Sequence, residues 1–243
     1  MSFAALHRSG SPLLLPNVWD VATARFLVAA GFAALGTTSL GVAAAAGRPD
    51  NDAGTGPQTL RLVRRLSVLP VPVTADLGVG TVAAALAAAQ AGAAGVNVED
   101  AMGDTHTHAA LIRAIKREAP QLFVNARTDT HWLRRGDLAE TLRRAHSYVE
   151  AGADGVFVPG LVEPAEITVV VSAVDVPVNV LFAPGRHTVA SLASLGVRRI
   201  SMGSLLFRAA LAAAVETALA VRDDRPIRTD LPAYQEVAQT GIS

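Results

Sequence analysis

Acidic and basic side chains gather in three stretches of this chain: Asp76, then Glu99-Asp100, then Asn125-Ala-Arg127-Thr-Asp129. Carboxylate oxygens from neighbouring segments suit a hard divalent cation, Mg²⁺ or Mn²⁺, which keeps several waters of its own. An arginine opposite such a cation clamps a carboxylate or phosphate through two parallel N–H bonds. Thr38-Ser39-Leu40-Gly41 adds a turn whose backbone N–H groups can meet an anion, and Asn179 adds an amide for a substrate. His106 and His108 are the titratable candidates for a proton donor in the loop after Glu99. Each of these has a plainer reading. A lone Asp at a strand end commonly caps a helix or forms a turn, as Asp50 in Pro49-Asp50-Asn51-Asp52 would. Arg127 and Asp129 can form a structural ion pair, and the two histidines can be solvated residues beside a helix N-cap.

What favours the chemical reading is the set of elements that would carry these groups. Short β-rich runs at 13–18, 34–38, 71–77, 95–99, 122–127, 155–159, 178–182 and 199–203 alternate with helical patterns near 20–30, 57–67, 81–91, 108–118, 137–151, 164–173, 187–195 and 205–221. Strands separated by helices pair in parallel, and eight such units close into a barrel. Ala30-Gly31, Ala91-Gly92 and Ala151-Gly152 each end a helix and open a strand, glycine accepting the left-handed backbone there. The expected fold is α/β, a single (β/α)8 TIM-type barrel over 1–243 with a C-terminal helical tail from about 222. An open doubly wound sheet is the alternative, but no Gly-x-Gly-x-x-Gly follows the first strand. In such barrels function sits at strand C-termini. Asp76, Glu99 and Arg127 all fall there, on successive strands.

Composition narrows the chemistry. The 243 residues are 51% apolar but only 5% aromatic, so the core is packed from Ala, Val and Leu. The 21 basic and 21 acidic residues cancel without long runs, which points away from nucleic acid and from an anionic membrane surface. With no signal-like start and no apolar run of roughly 18 residues, the expectation is a cytoplasmic protein. There is no cysteine to act as nucleophile or acid. Lys116 is the only lysine, and in Leu111-Ile-Arg-Ala-Ile-Lys116-Arg-Glu it reads as a solvated helix residue. Imine chemistry therefore lacks its amine.

Five motifs resemble, in order, those of the isocitrate lyase/phosphoenolpyruvate mutase superfamily. They are Pro16-Asn17-Val18-Trp19-Asp20 through Arg25, Thr38-Ser39-Leu40-Gly41 through Asp50, Pro72-Val-Thr-Ala-Asp76, Gly95-Val-Asn-Val-Glu99-Asp100, and Asn125-Ala-Arg127-Thr-Asp129. The resemblance implies Mg²⁺ bound directly by Asp76, with Asp50 and Glu99 reaching it through water. It implies that Arg127 and the Thr38-Ser39-Leu40 backbone hold a 2-oxo acid or its enolate, Arg127 stabilising the developing oxygen charge. It further implies a homo-oligomer, dimer or tetramer. Two departures stand out. Gly78 occupies the position of a second carboxylate, and the loop Asp100-Ala-Met-Gly-Asp104-Thr-His106-Thr-His108 has neither the lysines nor the catalytic cysteine of the lyases. Decarboxylation of an oxaloacetate-like acid needs mainly an electron sink, so that reaction is expected ahead of aldol-type cleavage. Phosphonopyruvate hydrolase or mutase chemistry, or a barrel that binds a metabolite without turnover, are the alternatives.

Overall fold

The computed structural model describes residues 2–8, 10–50 and 56–239. Its strands are β1 (Leu13–Leu15), β2 (Asn17–Val18), β3 (Leu35–Thr37), β4 (Val73–Asp76), β5 (Gly95–Glu99), β6 (Phe123–Arg127), β7 (Gly155–Val158), β8 (Val178–Leu181) and β9 (Arg199–Ser201). Around them run α1 (Phe3–Leu6), α2 (Val21–Ala29), α3 (Ser39–Ala45), α4 (Gly56–Leu66), α5 (Val82–Gln90), α6 (Thr105–Glu118), α7 (Leu138–Glu150), α8 (Pro164–Ala173), α9 (Val189–Ser194), α10 (Leu205–Arg222) and α11 (Tyr234–Ala238). All strand pairs are parallel, in the order β1-β9-β8-β7-β6-β5-β4-β3-β2.

The expected (β/α)8 TIM-type barrel is present, and its ninth strand segment has a local cause. Pro16 has no N–H to give to a ladder, so the first strand is divided there. The piece before it pairs with β9 and the piece after it with β3, which draws the sheet round on itself. Asn17 bridges the seam. Its Nδ2 donates to the Thr37 carbonyl at 2.8 Å, and its Oδ1 accepts the Met202 and Gly203 N–H groups at 2.9 and 2.8 Å.

Strand residues alternate between two environments. Val96, Val98, Val124, Ala126, Val156, Val158, Val180 and Ile200 are fully buried in the apolar clusters beneath the helices. Asn97, Asn125, Asn179, Arg199 and Ser201 alternate with them, and the hydrogen bonds among these five show that they share the barrel interior. Phe3, His7 and Phe123 pack together, with the His7 ring stacked on Phe123 at 4.5 Å. His7 thus belongs to the core, 1% exposed. Burial first, and then Arg199, lowers its pKa to about 4.

Helix starts are set by side chains that accept otherwise unpaired first-turn N–H groups: Asp20, Thr38, Thr81, Asp104, Asp137 and Thr188. Thr38 is informative, because the stretch after it is a helix, α3, where the sequence suggested a turn. The expected C-terminal helical tail is also different. After α10 ends at Arg222, residues 223–233 are not helical, and only α11 follows among the described residues. Proline at 226 and 232 cannot continue a helix interior.

Candidate active site

The C-terminal ends of β4, β5 and β6 lie side by side, with Asp76 in register with Asn97 and Glu99 with Arg127. They open into a cavity of about 120 Å³ that is also lined by Asn17, Thr38, Ser39, Leu40, Asp50, Trp132, Phe157 and Ser201. By the volume of liquid water this is room for about four water molecules, the scale of a compact organic acid. A larger concavity, about 590 Å³, lies at the N-terminal ends of the strands around His7, Arg8 and Asp154, and contains none of the candidate site residues.

Arg127 is the electrostatic centre. Its Nη1 meets Glu99 Oε2 at 2.8 Å and its Nε meets Asp129 Oδ1 at 2.6 Å, while its guanidinium carbon stands 5.9 Å from the Phe157 ring centroid. Burial works against the charged guanidinium, but Asp76, Glu99 and Asp129 outweigh it and hold the arginine firmly charged. Glu99 behaves in the opposite way despite its ion pair. Burial pushes its pKa up to about 7; Arg127 opposes this, but Asp76, Asp129 and Asp50 add to the rise. One guanidinium shared between two carboxylates does not neutralise four.

The surrounding turns fix these groups. Gly78 takes φ +61, a left-handed backbone suited to glycine, and its carbonyl accepts the Glu99 N–H at 2.8 Å. Asp76 is held by its own N–H donating to Thr37 Oγ1 at 2.9 Å, and its Oδ2 lies 3.4 Å from the Ser39 N–H. Asp100 turns away from the cavity. Its carboxylate accepts from Met102 N–H, Asp129 N–H, the Tyr148 hydroxyl and Arg144 Nη1, at 2.7 to 3.1 Å. Burial alone would raise its pKa, but these four donors lower it. Ala101 and Met102 both take positive φ, 44° and 59°, a strained turn that this carboxylate holds in place.

Of the site residues expected from sequence, Thr38, Ser39, Leu40, Asp50, Asp76, Glu99 and Arg127 meet at one cavity. Asn179 does not line it; it lies beneath, exchanging hydrogen bonds with Ser201 at 3.0 and 3.2 Å. Neither histidine lines it. His106 is exposed on the first turn of α6, and His108 is buried edge-on against Tyr148 at 4.7 Å, its Nε2 without a hydrogen-bond partner among the described residues. Burial is the first cause lowering the His108 pKa, which suits a packed neutral ring. Lys116 is less solvated than its helix suggested: Nζ pairs with Asp154 at 2.8 Å and with two carbonyls, outside the cavity. Sequence reasoning passed over Asn17, Asn97, Phe157, Ser201 and Trp132. The period-two rule had the signal for Asn97, which stands two residues before Glu99 and so faces the same way.

Asp50, Asp76 and Glu99 supply only hard oxygen donors, and after burial it is Asp76, Asp129 and Asp50 that raise the Glu99 pKa, so in chemistry and charge the set fits a divalent cation. No cluster of three His, Asp or Glu side chains is drawn together at ligand spacing among the described residues. In this structure Glu99 is committed to Arg127.

Fold and site together define a β/α-barrel protein with an oxygen-rich, arginine-centred cavity at its strand C-termini. Comparison with known proteins agrees. The family model for phosphoenolpyruvate phosphomutase matches residues 3–222. The protein Rv1998c of Mycobacterium tuberculosis, itself uncharacterised, is 43% identical over 98% of this chain and 95% of its own length. Phosphoenolpyruvate phosphomutase of Streptomyces hygroscopicus is 32% identical over 91% of this chain and 79% of its own, and an oxaloacetate decarboxylase of Bradyrhizobium diazoefficiens is 30% identical over 70% and 65%. A solved structure from Burkholderia cenocepacia J2315 is 34% identical, with TM-score 0.87 over 98% of this chain and 93% of its own. A phosphonopyruvate hydrolase solved with oxalate and Mg²⁺ shares the fold at TM-score 0.86 and 23% identity, covering 99% and 95%. The chain belongs to the phosphoenolpyruvate phosphomutase family, in the isocitrate lyase/phosphoenolpyruvate mutase superfamily of enzymes.

Proposed function

We propose that this protein is a Mg²⁺-dependent lyase that breaks a bond to the carbon next to the keto group of a small 2-oxo acid, oxaloacetate-like decarboxylation being the favoured reaction. The observation that carries this reading is one small cavity shared by Asp50, Asp76, Glu99 and Arg127. Asp76, Asp50 and Glu99 would hold the cation, and when bound it would supply Lewis-acid withdrawal of electrons from the oxo acid.

The chain's own residues do the rest. Arg127 keeps Nε and Nη1 on Asp129 and Glu99, which aims the guanidinium and leaves Nη2 for the substrate. Thr38, Ser39 and Leu40 bound the cavity on the other side and position the carboxylate. As the C3–C4 bond of oxaloacetate breaks, its electron pair moves to form the C2–C3 enolate. CO₂ departs, and the Arg127 charge stabilises the oxygen that becomes negative. A proton from solvent at C3 then gives pyruvate. His106 and His108, away from the cavity, take no part in this account. Relatives named for decarboxylase and phosphomutase activity support the substrate class.

The direct test is pyruvate and CO₂ release from oxaloacetate with Mg²⁺, lost in Asp76→Ala and Arg127→Met; no release above the uncatalysed background would refute decarboxylation. Phosphonopyruvate hydrolase or mutase chemistry is the second reading, favoured by the 32% identical phosphomutase, and would show as phosphate release or P–C isomerisation. Glycine at position 78 favours a third, a metabolite-binding barrel without turnover. Thermal stabilisation by Mg²⁺ that disappears in Asp76→Ala separates the enzyme from that binder. The reading includes a homo-oligomer, since α10 exposes Leu211, Val215 and Leu219 at successive i+4 positions.

A further inference from the structure

The floor of the cavity contains a buried arginine that the account above does not use. Arg199 is only 1% exposed, below the cavity lining, on β9. Its Nη2 donates to Asn97 Oδ1 at 3.2 Å and its Nε to Ser201 Oγ at 3.4 Å. Both partners line the cavity. Its Nη1 has no partner among the described residues. Burying a guanidinium with one donor group unmet is costly, and an apolar side chain would fill a barrel interior without that cost. Its retention points to work done at the cavity.

That work is legible in Asn97. Its Oδ1 accepts twice, from Arg199 Nη2 and from Asn125 Nδ2 at 2.9 Å. A guanidinium only donates, so the carboxamide cannot be turned over while Arg199 is there. Asn125 has its place because residue 155 is glycine: a Cβ there would meet Asn125 Oδ1 at 3.0 Å and the Pro177 carbonyl at 3.1 Å. Ser201, which exchanges hydrogen bonds with Asn179, steadies the guanidinium from the other side. With Oδ1 taken twice, the group Asn97 has left for the cavity is its NH₂, which has no protein acceptor among the described residues.

We propose that Arg199 is a positioning residue that turns the Asn97 carboxamide so its Nδ2 stands in the cavity floor as a donor for an oxygen of an anionic ligand. This rests on the oxo-acid reading for the ligand's class, but not for the amide's orientation. It makes the floor selective for a ligand with an acceptor oxygen at its lower end over one of the same size with an apolar group there.

The experiment has two arms on the full chain. In ¹⁵N-labelled protein without ligand, the Asn97 side-chain NH₂ pair, assigned by its loss in Asn97→Asp, should shift in Arg199→Met. If that variant does not fold, Arg199→Lys, which keeps a donor but not the fork, serves instead. In the second arm, oxalate affinity with Mg²⁺ is measured by calorimetry. Asn97→Leu and Arg199→Met should each weaken it about tenfold, and the double variant no more than either, because both remove the same donor. Arg199→Lys should recover part of the loss. Unshifted NH₂ signals, oxalate affinity within twofold of wild type in Arg199→Met, or additive losses would each overturn the proposal. Wild-type protein that ignores oxalate would instead count against the oxo-acid reading, and the first arm would still decide the orientation of Asn97.

Discussion

At the scale of single residues, the site is a problem of charge. Four carboxylates, Asp50, Asp76, Glu99 and Asp129, act on one another around Arg127. Arg127→Met leaves Glu99 and Asp129 without their shared cation, and turnover should fall by a hundredfold or more, about the loss seen when a preorganised donor to an oxyanion is removed; steady-state kinetics would read it. The raised Glu99 pKa makes a second prediction, for metal-free protein in EDTA. An acid whose folded pKa lies above its unfolded value binds more protons when folded. The resulting stability is complete below about 4.5 and is lost as pH rises to about 7. Urea titrations should show wild type losing stability across this window by a few kcal/mol, in proportion to the shift. Glu99→Gln, which cannot ionise, should lack that slope; the same slope in both proteins would dismiss Glu99 as its source.

At the scale of elements, the positions of Glu99 and Arg127 depend on a joint behind them. Asp100 ties the end of β5 to the Asp129 N–H after β6 and to Arg144 and Tyr148 on α7. Asp100→Ala leaves the buried Arg144 charge with Glu140 as its one carboxylate partner among the described residues and removes the group that holds the positive-φ turn at 101–102. A cost of about 3–5 kcal/mol is expected from breaking such a buried pair, measurable by chemical denaturation. Asn17 is the equivalent joint at the barrel seam, with three hydrogen bonds across the break at Pro16. Asn17→Ala should cost about 1–3 kcal/mol through the donors and acceptors it leaves unmet. An unchanged denaturation midpoint would mean that the sheet closes without it.

At the scale of the whole molecule, α10 presents an apolar stripe to solvent in the single chain, Leu211, Val215 and Leu219 being 53%, 60% and 37% exposed. We propose that a second copy of the chain covers this stripe. Leu211→Glu with Val215→Glu should shift sedimentation towards the monomer without loss of helicity; wild type that sediments as a monomer would refute the oligomer. The same whole-chain view separates what was legible in the sequence from what was not. Strand and helix order, the parallel barrel, and the meeting of Asp76, Glu99 and Arg127 could be read from residue order, because alternation, capping and strand ends are local patterns along the chain. The roles of Arg199 and His7, the packing of His108 against Tyr148, and the donors in the cavity floor could not. A charged or polar residue on a strand reads the same whether it meets water, an apolar ring or another strand's amide. That partner is chosen only when strands far apart in sequence close around one interior, as β5 and β9 do where Asn97 receives Arg199.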